Sequence, residues 1–174
     1  MSGNSRSGFS NLEIYRNYEQ LSEMLWNAVG TWELWHKDVL GKQLLRATDS
    51  IGANIAESVG RGHFRESLHH LYYARGSLAE TQHWIRVAVR RQLIGDNEIN
   101  HLRELSVLLH KQLNAFIRAQ TPKSTNTHSV SEEPEIYGDD FLHFDRNPNE
   151  KPVRRRQELR AKSQEPTPLG GSPA

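Results

Sequence analysis

Apolar residues recur along the first 120 positions at spacings of three and four, the mark of helices with one buried face. Ile14, Tyr18, Leu21, Leu25 and Ala28 form the first row and predict a helix from about Asn11 to Val29. Ser10 or Asn11 is its expected cap, Glu13 stands in its first turn, and Gly30 is its expected stop or bend. Leu40, Leu44, Ala47, Ile51 and Ile55 predict a second helix over His36 to Val59. Phe64, Leu71, Leu78, Ile85 and Val89 mark a third, from Phe64 to Gln92. Ala74, Ala88, Tyr73 and Trp84 widen that apolar arc, so more than one neighbour is expected to cover it. Ile99, Leu102, Leu105, Leu109, Leu113 and Phe116, flanked by Leu108 and Ile117, predict a fourth helix from Asn97 to Ala119. Asp96 is its expected cap, with Glu98 complementing the N-terminus. Trp26, Trp32 and Trp35 gather around the first interhelix link and read as a tryptophan-rich corner of the core.

Residues 1–120 contain no proline, and all seven prolines lie beyond. Proline breaks helix interiors, so long helices are permitted upstream and a proline-, serine- and glutamate-rich tail without a core is expected downstream. The organisation expected is a flexible N-terminus over residues 1–10, four helices over 11–120 and a disordered tail over 121–174. Gly60 and Gly62 bracket Arg61 and leave only a short link, so the second and third helices should form a hairpin with Gly60 in the left-handed position after a helix end. The fold class is all-α: an antiparallel up-and-down four-helix bundle. Gly41 and Gly52 each cost about 1 kcal/mol in an exposed helix interior relative to alanine. Gly52 and Ala56 are four apart and share a face, with Leu45 and Ala53 beside it, so a second helix, from the same or another chain, should pack closely there.

Charge adds little globally. Residues 1–120 carry 14 Lys and Arg against 12 Asp and Glu, and the tail carries 8 against 9. The chain has no cysteine, no apolar leader at its N-terminus and no apolar run long enough for a membrane span, which fits a cytoplasmic protein. Catalytic chemistry is not in view. His63, His69 and His70 are the densest of nine histidines, but successive helical positions point about 100° apart and no His-Glu-x-x-His pair exists. Serines 50, 58 and 77 lack a base at helical spacing, and Glu57 and Glu80 are more simply salt-bridge partners of Arg61 or Arg75. Gly60-Arg61-Gly62 has neither the Lys-Ser/Thr of a phosphate loop nor a preceding strand. No metal and no cofactor are expected.

One local charge pattern stands out. Arg65, Tyr72, Arg75, Arg86 and Arg90 fall within a stripe about 80° wide on the third helix, with Ala79 in its middle and His83 at its edge. Such a face suits a phosphate backbone, with the tyrosine stacking on a base. The alternative is a solvated face whose arginines pair with Glu66, Glu80 or a neighbouring chain. In the tail, 135–144 (EIYGDDFLHF) mixes aromatics with acids and suits docking on a partner, while 151–162 (KPVRRRQELRAK) is a basic patch; plain linker is the other reading of both.

The stretch SIGANIAESVGRG followed by ARGSLAET resembles the bacterial four-helix-bundle proteins first noticed in intervening sequences of 23S ribosomal RNA genes. That pattern is, loosely, S-I-x-x-N-I-A-E-G-x-G-R and then A-x-G-S-L-x-E. Ser50, Ile51, Asn54, Ile55, Ala56, Glu57, Gly60 and Arg61 match its first half, and Ala74, Gly76, Ser77, Leu78 and Glu80 its second. Ser58 departs from it where glycine is usual. The resemblance covers about residues 12–118 and leaves out the tail. It implies a non-enzymatic, ring-like homopentamer associated with ribosomal RNA. A related branch resembles the accessory variability determinant proteins of diversity-generating retroelements, which join a reverse transcriptase and its RNA. The matched residues become fold and assembly determinants: Gly52 and Ala56 for close packing, Gly60 for the turn, Glu57 and Arg61 for a charged link at the hairpin tip, and Glu80 in the second half. Two functions are therefore expected, an RNA-binding or ribonucleoprotein accessory module, or a scaffold for a reverse transcriptase or other partner with the tail as docking arm.

Overall fold

The computed structural model describes Phe9, residues 12–61 and residues 63–121, and four helices hold nearly all of them. α1 is Glu13–Gly30. α2 occupies residues 34–60 as one α turn, Leu34–His36, a π turn, Lys37–Gly41, and an α-helical body, Lys42–Gly60. α3 is Phe64–Arg90 and α4 is Asp96–Gln120. No strand occurs among the described residues. The tail from residue 122 on, with its 135–144 and 151–162 segments, lies outside the described residues, as do residues 1–8, Ser10, Asn11 and Gly62.

The spacing rows form the core. Leu21, Leu25, Leu44, Ile51, Ile55, Leu71, Leu78, Ile85, Leu102, Leu109 and Leu113 are almost wholly buried in one cluster. Four aromatic expectations are corrected. Trp32 alone of its group is a core tryptophan, its indole N–H donating to the Leu93 carbonyl at 2.8 Å. Trp26 is 64% and Trp35 60% exposed. Trp26 follows buried Leu25 by one residue and so points about 100° off the buried row. Tyr73 is 62% exposed because it follows Leu71 by two residues, about 200° around α3. Phe64 sits in the first turn of α3 and is also exposed.

Pairs across the helices locate the neighbours. Tyr18 meets Gly52, Ser22 Oγ donates to Asp49 at 3.4 Å, and Val29 meets Gly41, joining α1 to α2. Ser67 Oγ donates to the Ser58 carbonyl at 2.6 Å, His70 Nδ1 lies 3.2 Å from Asn54 Oδ1, and Arg46 reaches Glu80, joining α2 to α3. Ser67 also lies 2.8 Å from the Gln120 side-chain oxygen and Arg75 contacts Asn114, joining α3 to α4. Asn17 donates to Gln112 at 3.0 Å, closing α1 on α4. In the three sets that hold more than one pair, residue numbers rise along one helix as they fall along its neighbour.

Gly52 and Gly41 show why α2 accepts glycine in its interior. A β-carbon at 52 would overlap the Tyr18 ring at Cε1, and one at 41 would lie 2.8 Å from Val29 Cγ1. The helix packing on Gly52 is therefore α1 of the same chain, through a ring lying in the notch. Burial raises the Tyr18 phenol above its ordinary pKa of 10.0, with Asp49, Tyr15 and Glu19 adding to the shift and Ser22 opposing it. By contrast Gly30, Gly60 and Gly76 face open space.

The helix ends differ from expectation. Leu12 precedes α1, with no side-chain cap on it. Gly95, not Asp96, takes the N-cap position of α4, and Glu98 reaches back to accept the Gly95 N–H at 2.9 Å. Gly60 is not left-handed, and the one positive φ among the described residues is at Gln92, 57°. There Leu93 N–H bonds the Ala88 carbonyl at 3.0 Å and Gln92 N–H the Val89 carbonyl at 2.9 Å, a Schellman closure in the place where glycine is commonest.

Gly52→Ala should destabilise the fold by about 1–3 kcal/mol through overpacking, whereas Gly76→Ala should stabilise it by about 0.5–1 kcal/mol. Urea unfolding checks both, and the Gly52→Ala loss should shrink in a Tyr18→Leu background. Gln92→Gly should stabilise by about 0.5–1 kcal/mol, relief of the left-handed strain exceeding the added chain entropy, and raise the melting temperature by a few degrees.

Candidate nucleic-acid interface

α3 carries four arginines, Arg65, Arg75, Arg86 and Arg90, and two glutamates, Glu66 and Glu80. The helix sorts them by side. Glu66 lies 3.9 Å from Arg61, and Glu80 lies 3.7 Å from Arg46 of α2 and accepts from the Trp84 indole at 3.3 Å. Both acids thus answer cations at the hairpin tip or on α2. Neither meets Arg75, which corrects the expected pairing of Glu80.

The arginines take the outer surface and the flank towards α4. Arg65 and Arg90 are exposed, while Arg75 and Arg86 are half-buried. Among the described residues, Arg65 and Arg90 make no ion pair. Arg75 is held at two points: its guanidinium carbon stands 5.1 Å from the centroid of the exposed Tyr72 ring, and Nη1 donates to Asn114 Oδ1 at 3.3 Å. The Asn114 amide in turn lies 3.0 Å from His110 Nε2. His83, at the stripe's edge, packs edge-on against Trp84, its ring centroid 4.9 Å away. Ala79, in the middle, is half-buried and leaves the surface low between Arg75 and Arg86.

Asn114 and His110 are the residues sequence reasoning missed. They sit one turn apart on the flank of the apolar row of α4, where polar residues at that spacing mark a helix–helix seam without naming the partner across it. The arrangement gives a row about 38 Å long from residue 65 to residue 90. Two of its arginines are exposed, and one is fixed beside an aromatic face. An arginine stacked on a tyrosine presents a planar donor fork next to a π surface, a pair suited to phosphate and base together.

The remaining singled-out residues lie elsewhere. At the hairpin tip Arg61 Nη2 pairs with Glu57 Oε2 at 2.9 Å, with all three charged groups there about half exposed. An ion pair that open contributes little to stability. Gly60 ends α2, and Ala56 is half-buried on the same helix. Among the described residues no three His, Cys, Asp or Glu side chains come together as metal ligands, and no described helix is long and apolar enough to cross a membrane.

A family model described as 23S rRNA-intervening sequence protein matches residues 10–115, more than half of the chain, and the chain belongs to that family. The match takes in α1, α2, α3 and most of α4 and stops short of the tail. No curated protein matches the chain.

Proposed function

We propose that this member of the 23S rRNA-intervening sequence protein family is a non-enzymatic RNA-binding module that uses the arginine stripe of α3. The observation that carries this reading is the segregation of charge on that helix. Its two glutamates turn to cations at the hairpin tip and on α2, while Arg65, Tyr72, Arg75, Arg86 and Arg90 share the other side with Arg75 seated against Tyr72. A solvated helix face would interleave acids and bases; this one supports a polyanion. Replacing Arg75, Arg86 and Arg90 with glutamine should lower RNA affinity at least about tenfold and flatten the dependence of log K on log salt by about one unit or more. Fluorescence anisotropy across a salt series measures both, and affinity unchanged in the triple variant would sink the reading.

We infer as well that copies of this chain associate through the apolar surface concentrated between residues 26 and 39. Trp26, Leu34, Trp35 and Val39 are all exposed there. Exposed patches of large apolar residues mark contact sites. A homopentamer is the assembly that the family resemblance implies. Native mass spectrometry should find the oligomer and should find mostly monomer once Trp26 and Trp35 are both changed to glutamate. An oligomer indifferent to those substitutions would place the contact elsewhere.

A further inference from the structure

We propose that the acidic, aromatic segment from Glu132 to Phe144 docks on the arginine stripe of α3 in its own chain, where it competes with polyanions. Docking stands on its own; only the competition rests on the RNA-binding reading. The segment lies outside the described residues. Its chemistry and the point where the described chain ends carry the argument.

Charge is the first ground. The segment holds Glu132, Glu133, Glu135, Asp139 and Asp140 with no lysine or arginine among them. The stripe offers Arg65, Arg75, Arg86 and Arg90, with the helix's own glutamates turned to other cations. Tyr137, Phe141 and Phe144 stand among the acids, as Tyr72 stands exposed among the arginines. The exposed apolar surface at residues 26–39 is the rival seat, and it lacks the charge. Lys37 there donates to the Gly30 carbonyl at 2.7 Å, and Lys42 is paired with Asp38 at 2.8 Å.

Reach is the second ground. The Gln120 side chain meets Ser67, two residues from Arg65, so the chain leaves α4 beside one end of the stripe. Ten residues, 122–131, separate that point from the segment, and a flexible linker of ten residues would span about 17 Å root-mean-square. A chain of thirteen residues, the length of the segment, can reach at most about 43 Å, against about 38 Å for the stripe. A tether that short gives an effective concentration in the millimolar range, so a contact with a dissociation constant of about 1 mM is half occupied or better.

The absence of cysteine supplies the test, since Gly138→Cys gives one thiol for a benzophenone photocrosslinker. Under ultraviolet light the full chain should crosslink to peptides within residues 65–90 and run as a monomer on a denaturing gel. The yield should fall about fivefold or more when Arg65, Arg75, Arg86 and Arg90 are all glutamine, and likewise in about 0.5 M salt. Crosslinks concentrated at residues 26–39, crosslinks only between chains, or a yield indifferent to the four substitutions would overturn docking. These readouts contain no RNA, so the failure of RNA binding would leave them standing. Competition is read separately: changing the five acids to their amides should raise affinity for a single-stranded RNA about three- to tenfold, and unchanged affinity would overturn it.

Discussion

A phenol ring and the bare backbone of a neighbouring helix occupy one volume in this bundle, and the spacing of the first two helices depends on that exclusion. Tyr18 fills the space a side chain at residue 52 would need, and eleven residues earlier on α2 Val29 does the same over Gly41. Two such contacts, three turns apart, pin both the distance and the register of α1 on α2. With that pair set, the leucines and isoleucines of all four helices close into one cluster. The glycines forgo helix propensity of about 1 kcal/mol each, and the gain is a buried tyrosine and a buried valine whose area outweighs it.

Most of the architecture is legible as periodicity. Rows at spacings of three and four place the four helices to within a few residues, because burial on one side of a helix leaves that rhythm whatever the partner is. Legibility fails where identity and position part. Trp26, Trp35 and Tyr73 have core-type side chains on outward positions, and residue type alone does not reveal which way a helix is turned. Local preference puts the left-handed residue at Gly60, where glycine carries no strain, yet the chain bends at Gln92, where the closure of α3 and the part-buried Trp32–Leu93 hydrogen bond impose the conformation. Tertiary contact overrides local preference there.

The candidate interface is half legible. A helical projection is enough to gather Arg65, Tyr72, Arg75, Arg86 and Arg90 on one side. It does not show that Arg75 is clamped by Asn114 or that Glu80 turns to Arg46, since both depend on which helix lies on which flank. A single helix's pattern fixes its own faces and is silent about its neighbours. The expected role of Gly52 is met by a ring and not by a second backbone for the same reason.

The π turn at Lys37–Gly41 places one residue more in α2 than an α-helix of the same length would hold. The wider turn takes up that residue within itself, so the helix leaves the bulge on nearly the bearing it would have had without it. Losing one residue between positions 37 and 40 would therefore restore plain α geometry and leave both flanks, Leu34 and Trp35 on one side and Gly41 and the body of α2 on the other, at nearly their present bearings. A single-codon deletion there should remove the bulge and leave both the exposed apolar residues and the interior where they are. The bulge is a place where α2 holds one residue more without passing the change on to the outside of the molecule or to its core.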